Sequence, residues 1–176
     1  MTHTPTFDRA FAAFARFATE TPDYDKLREI ADAAVPFGVF AGMRTTELDA
    51  DHAVTEIPNS PDLRNHLQTV HAAALYLAAD IACALAFVGA AAPQIGQVEW
   101  TVVRDSRSVY FKPAVGRIRA VGTVDERAIR SILTRTDQRR FDVDAKAMLY
   151  DDNDVLVAKM SFDYVAQFAA LPAESV

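Results

Sequence analysis

The stretch Asn65-His-Leu-Gln-Thr-Val-His71-Ala-Ala-Ala-Leu-Tyr-Leu-Ala-Ala-Asp80-Ile-Ala-Cys-Ala-Leu-Ala-Phe-Val88 decides how this chain is read. From Val70 onward nearly every residue is apolar and most are alanine. A helix that is apolar all round has no face to offer water, so residues 70–88 are predicted to form one long buried helix. Thr69 stands where an N-cap is expected, and Gly89 and Pro93 mark the end. Residues 72–92 carry a single charge, Asp80, at their centre, and this length alone would cross a bilayer. A carboxylate at mid-bilayer costs roughly 2.5–3.5 kcal/mol, and a core helix needs the same composition, so no membrane span is expected.

On either side of this helix the hydrophobic period changes from helical to alternating. Downstream, residues 98–111 read as a strand in which Val98, Trp100 and Val102 alternate, followed by strands over 118–124, 141–150 and 155–168. Asp125 caps a short helix before Leu133, and Asp151-Asp-Asn-Asp154 is turn chemistry. Upstream, residues 43–48 and 53–57 read as two strands about the turn Asp49-Ala-Asp51. Phe7, Phe11, Phe14 and Ala18 form one helical stripe, and residues 24–34 a second helix capped by Asp23 or Asp25, with Leu27, Ile30 and Ala34 on one face. Pro36 and Gly38 are expected to end that pair. The order ααββαββαββ predicts an α+β fold in which an antiparallel sheet wraps the one fully apolar helix. Residues 1–38 are assigned to an N-terminal helical extension and 39–170 to the sheet-and-helix domain.

With 176 residues the chain has the length of one domain and needs neither disulfide nor metal to hold a core. Its 51% hydrophobic and 24% charged residues exclude long disorder, and its net charge of −6 argues against non-specific nucleic-acid binding. The single cysteine, Cys83, can form no internal disulfide and begins no zinc motif. Met1-Thr-His-Thr-Pro-Thr lacks the basic and apolar blocks of a signal peptide, so a cytoplasmic location is expected.

The arrangement resembles the hot-dog fold, and the resemblance sharpens at Asn65, His71 and Asp80. Acyl-CoA thioesterases of the phenylacetate-pathway type carry an Asn, a His six residues on and an acid nine residues after that His. Phe111-Lys-Pro-Ala114 is similar to the family's third-strand ending, and the turn after Tyr150 with Val155-Leu-Val-Ala158 to its closing hairpin. The short helix after Val124 and the N-terminal helices resemble a related, uncharacterised hot-dog family. The resemblance implies hydrolysis of an acyl-CoA thioester to free acid and coenzyme A. Coenzyme A enters as part of the substrate and no other cofactor is implied. It also implies a homodimer or a dimer of dimers with sites across the interface. Two family glycines are replaced by Ala72 and Ala73, whose backbone N–H groups are retained as oxyanion donors. A family Ser or Thr on the third strand is replaced by Val103, with Thr101 and Asp105 expected on the same strand face as substitutes.

The residues themselves leave several roles open. A carboxylate in an apolar helix has its pKa raised, so Asp80 is a candidate base or nucleophile, or else a structural acid bonded to a backbone or tyrosine donor. His71 is a catalytic candidate or a capping or interface residue, and Asn65 orients substrate or water or closes a local turn. Nine helical residues turn by about 900° and rise about 13.5 Å, so His71 and Asp80 of one chain point apart. If both act on one thioester, Asp80 comes from a second chain. His3 and His52 read as surface residues, no metal site is expected, and Cys83 reads as a buried structural thiol. Residues 101–140 hold ten Lys and Arg against four Asp and Glu. Within them Arg104, Arg107 and Lys112, and further along Arg117, Arg119, Arg139 and Arg140, are candidates to bind coenzyme A phosphates or simply form a solvated surface. Beside the thioesterase reading stand a non-catalytic acyl- or aryl-binding protein, a structural dimer, and a hydratase whose usual motifs the sequence lacks.

Overall fold

A computed structural model describes residues 11–17, 19, 21–135 and 139–169. Helices α1 (Ala12–Ala15), α2 (Tyr24–Ala34) and α3 (Pro36–Phe40) precede strands β1 (Arg44–Leu48) and β2 (His52–Ile57). The central helix α4 (Ala72–Ala91) follows, then β3 (Val98–Tyr110), β4 (Ile118–Val124), helix α5 (Glu126–Leu133), β5 (Arg140–Tyr150) and β6 (Leu156–Phe168). The six strands form one antiparallel sheet in the order β1-β2-β4-β5-β6-β3. The expected α+β architecture is present, with the sheet curled against α4.

Strict alternation makes the sheet one-sided. Along β5 the side chains of Phe141, Val143, Ala145, Ala147 and Leu149 are buried, and those between them face outward. The helix that covers this face approaches very closely because its contacting residues are small. Ala78, Ala79, Ala82 and Ala86 are fully buried. At Gly122 of β4 a Cβ would stand 2.3 Å from the carbonyl carbon of Ala82, so only glycine permits this contact. The apolar span that begins at Ala72 is thus mostly buried by the sheet.

Several boundaries differ from expectation, each for a tertiary reason. The N-cap of α4 is His71, not Thr69. The Thr69 hydroxyl instead accepts from Asn65 Nδ2, while Val70 N–H donates to Ala114 O and keeps the chain extended one residue further. Gly89 lies inside the helix, where a Cβ would stand 2.0 Å from Asp49 O; the chain leaves through a 3-10 turn, Ala92–Gln97. Pro36 does not end the helical segment but starts α3, its fixed φ suiting a first helical position. The Phe7 and Ala18 positions of the N-terminal stripe lie outside the described residues; Phe14 is buried. Asp23 caps α2 and Asp125 caps α5, as expected. Asp32 of α2 accepts hydrogen bonds from Thr45 N and Arg44 Nε, which fastens the helix to β1.

Candidate functional site

The start of α4 is built from short-range hydrogen bonds. Asn65 Oδ1 accepts from the N–H groups of Leu67 and Thr69, Nδ2 donates to the Thr69 hydroxyl, and Asn65 N–H donates to Thr69 O. The asparagine therefore closes its own loop, and Gln68 takes a left-handed φ of 62° within it. His71 N–H donates to Leu63 O, and the His71 ring caps the helix by accepting from Ala73 N–H at Nδ1, 3.0 Å away. That bond assigns the tautomer: Nδ1 is the acceptor, so the proton resides on Nε2. It also spends the Ala73 N–H, one of the two expected oxyanion donors. The N–H of Ala72 has no acceptor among the described residues and remains open.

Two clefts flank this first turn. One, of about 260 Å³, lies between α3 and α4 and is lined by Phe37, Phe40, Met43, Leu63, His71, Ala73 and Leu77 among others. The second, of about 330 Å³, lies on the other side and brings together Asn65, Thr69, Ala72, Phe111 and Lys112. The expected site residues of this region are thus split, His71 and Ala73 against Asn65, Ala72 and Lys112.

Asp80 lines neither cleft. One of its oxygens, Oδ1, accepts from the Tyr164 hydroxyl at 2.7 Å, and the same hydroxyl lies 3.1 Å from Asp80 O. Oδ2 has no hydrogen bond among the described residues. Burial in the apolar helix pushes the Asp80 carboxyl above the ordinary carboxylate range, and the Tyr164 hydroxyl partly offsets this. Beside it Tyr76 OH and Ser106 Oγ are 2.9 Å apart, and the rings of Tyr76, Phe162 and Tyr164 pack in succession. Cys83, one turn on, is fully buried, and burial with the neighbouring Asp80 charge raises its thiol far above the usual range. Tyr164 is the partner that reading the chain did not name. Its one trace in the sequence is a hydroxyl on the otherwise apolar inward face of β6, between Phe162 and Ala166.

On β3, Val103 pairs with Tyr164 and Thr101 with Ala166, so both share the face turned to α4. The ladder then slips at Arg104, a bulge. Asp105 is carried opposite Asp163, on the face turned away from the helix, and does not stand beside Thr101 as expected. Arg104 is engaged at both ends: Nη2 reaches Asp163 Oδ2 at 2.6 Å and Nη1 reaches Asp142 Oδ1 at 3.0 Å. Arg117 is bound to Asp152 and Glu56, and Arg119 to Asp154. Arg139 is held by Ala169 O and Gln97, and the ring of Trp100 faces Arg140. Arg107 and Lys112 have no ion pair among the described residues; Arg107 lies on the outer face beside Ser161 and Lys159, in a different cleft from Lys112, with Phe111 lining both. His52 is bonded to Asp51 and lies 3.5 Å from Glu47, and the Asp51 bond raises its pKa; His3 is outside the described residues. Among the described residues no three His, Cys, Asp or Glu side chains are grouped as a metal site would require.

The fold matches solved structures closely. A protein of unknown function from Chlorobaculum tepidum TLS is 22% identical with a TM-score of 0.74, over 87% of this chain and 99% of that one. A Pseudomonas aeruginosa protein described as a probable thioesterase is 19% identical with a TM-score of 0.67, over 86% and 99%. The Escherichia coli PaaI protein of the phenylacetic acid degradation operon is 15% identical with a TM-score of 0.56, over 80% and 93%. These identities speak to fold alone. No curated protein matches the sequence. The family model of a domain of unknown function, DUF4442, matches residues 25–165, from α2 into β6. The chain belongs to the DUF4442 family, and its fold is the hot-dog fold.

Proposed function

We propose that this protein is an acyl-CoA thioesterase. The observation that carries the reading is the Asp80 carboxyl: half-buried in an apolar helix, its pKa raised, one oxygen held by Tyr164 and the other open. A carboxyl shifted upward in this way is a stronger base than a free one and is suited to take a proton from water. The thioesterase descriptions of proteins with this fold support the same reading. In the reaction water adds to the thioester carbonyl as Asp80 accepts its proton, the C–S bond breaks, and that proton reaches the departing thiolate, giving free acid and coenzyme A. In the alternative route the carboxylate attacks the carbonyl and the C–S bond breaks, expelling the coenzyme A thiolate and leaving a mixed anhydride; water then opens the anhydride, releasing the free acid, restoring the Asp80 carboxylate and supplying the proton that the thiolate takes up. The developing oxyanion is met by the His71 Nε2–H or the open Ala72 N–H rather than by Ala73. Thr101 lines the strand face toward α4, and Lys112 and Arg107, without ion pairs among the described residues, are candidates to meet phosphate.

His71 and Asp80 lie nine residues apart on one helix and share no cleft, so the working site takes them from two copies. The long β3 edge, largely exposed, offers a second copy a row of backbone groups to pair with. Thiol release from a panel of acyl-CoAs, with sedimentation at the assay concentration, tests both parts. Turnover by a dimer or larger assembly is expected. Turnover by a monomer would end the shared-site scheme, and none on any acyl-CoA would end the enzymatic one. A ligand-binding protein without catalysis is the second reading, favoured by Asn65 spending its Oδ1 and one Nδ2 hydrogen on its own loop.

A further inference from the structure

Resting on the thioesterase reading, we infer that the substrate straddles the first turn of α4. Its acyl chain enters the apolar cleft between α3 and α4, and its anionic arm runs into the cleft that holds Lys112. The two clefts differ in chemistry on either side of one helix start. The first is walled by Phe37, Phe40, Met43, Leu63 and Leu77, with His71 at its margin and Asp62 and Arg64 at its rim. The second has Asn65, Thr69 and a lysine without an ion pair among the described residues. The ridge between them carries the two residues whose donors are left over after helix capping: His71, which lines the apolar cleft, and Ala72, which lines the polar one. A thioester joins an apolar tail to a polyanionic arm through one carbonyl, and this order of features matches it.

The apolar wall is held in place by packing. Gly38 faces α4 so tightly that a Cβ there would stand 2.7 Å from Ile81 Cδ1. With that side of α3 pressed on the helix, Phe37 and Phe40 project outward, 63% and 86% exposed, their rings stacked with centroids 6.4 Å apart. Two phenylalanines side by side in water forgo the burial that such side chains ordinarily gain, which marks a surface made to be covered. The cleft, about 260 Å³ and open to solvent, is large enough to take an alkyl chain and not only an acetyl group.

The test compares acetyl-, octanoyl- and palmitoyl-CoA as substrates and S-octyl-CoA, a thioether that cannot be hydrolysed, as a binding probe. Wild type, Ala73→Leu, Phe40→Ala and Lys112→Ala are used; Ala73, Phe40 and Lys112 are all exposed, and thermal melts check that each variant is folded. Ala73→Leu fills the cleft and should cut the octanoyl-to-acetyl ratio of kcat/KM by about tenfold or more, with weaker S-octyl-CoA binding. Phe40→Ala removes part of the wall and should shift the preference in the same direction by a smaller factor. Lys112→Ala should weaken S-octyl-CoA and free coenzyme A by the same factor, and this loss should shrink at high salt. Hydrolysis with an unchanged chain-length ratio in both cleft variants overturns this placement and leaves the thioesterase reading intact. S-octyl-CoA binding that responds to Ala73→Leu, without turnover of any substrate, keeps the placement and removes the enzyme. A Phe40→Glu variant that dissociates the oligomer while keeping the ratio assigns the phenylalanine surface to a second copy and overturns the placement.

Discussion

The first turn of α4 and its middle handle polar groups in opposite ways. At the first turn the polar groups face water and are spent on local bonds: Asn65 on its loop, the His71 ring on Ala73 N–H. In the middle a lone carboxyl is half-buried among apolar neighbours and takes its one hydrogen bond from a hydroxyl on a strand 84 residues away in sequence. Local bonds at the helix start leave well-defined donors, Nε2–H and the Ala72 N–H. Enclosure in the middle leaves a group of altered acidity. The hydrolytic site proposed above would use both kinds, each made where its surroundings favour it.

The largest effect that would break this contrast is at Asp80. Asp80→Asn keeps an acceptor for Tyr164 and removes an enclosed charge, so turnover should fall by roughly 10²–10⁴ while the urea midpoint holds or rises. An active variant with a lowered midpoint would make Asp80 a structural acid. Next is His71→Asn, which retains a good N-cap side chain and lacks the Nε2–H. Activity should drop by roughly 10²–10³ with little loss of stability; the reverse pattern, read by the same two assays, would reduce His71 to a cap.

Tyr164→Phe sharpens the comparison from the other side. It leaves the Asp80 oxygen without its donor and should cost about 1–3 kcal/mol in urea unfolding. Because the hydroxyl lowers the Asp80 pKa, its loss should move the acidic limb of the pH–rate profile upward. An unmoved limb would mean that this limb does not report Asp80. The smallest effect is expected at His52. Its pKa is raised in the folded chain, mainly by the Asp51 bond, so its contribution is complete below the unfolded value of about 6.5 and is lost as pH rises through the raised one. The side chain is about one-third exposed, so this contribution is no more than a few tenths of a kcal/mol. His52→Gln should remove that part of the decline in stability between pH 6 and 8, and an identical decline in the variant would assign it to other groups.

Much of the architecture was legible because it is written in short periods. The alternation of β5, the caps Asp23 and Asp125 and the apolar run of α4 each lie within one segment. What escaped depends on contacts between distant segments. Thr69 is displaced as a cap by Asn65 and by the Val70–Ala114 bond, and Gly89 is a close approach to Asp49 rather than a helix end. A bulge at Arg104 reverses the face of Asp105, because one extra residue inverts every side chain after it. Counting charges likewise overlooked that Arg104 would meet Asp142 and Asp163 across the sheet. For the site, helical geometry led to the expectation that His71 and Asp80 of one chain are kept apart, whereas the identity of Tyr164 as partner required the sheet.

The seclusion of Cys83 has a practical side. Its sulfur is sealed beneath the sheet and holds its proton well into the alkaline range, so a thiol-specific dye added to the native protein should find no internal target. The colour that develops in a hydrolysis assay then belongs to released coenzyme A. In urea the same dye reaches one sulfhydryl for each opened chain, since the sequence contains no other. One reagent can therefore read turnover and unfolding on the same sample, with the core itself keeping the two signals separate.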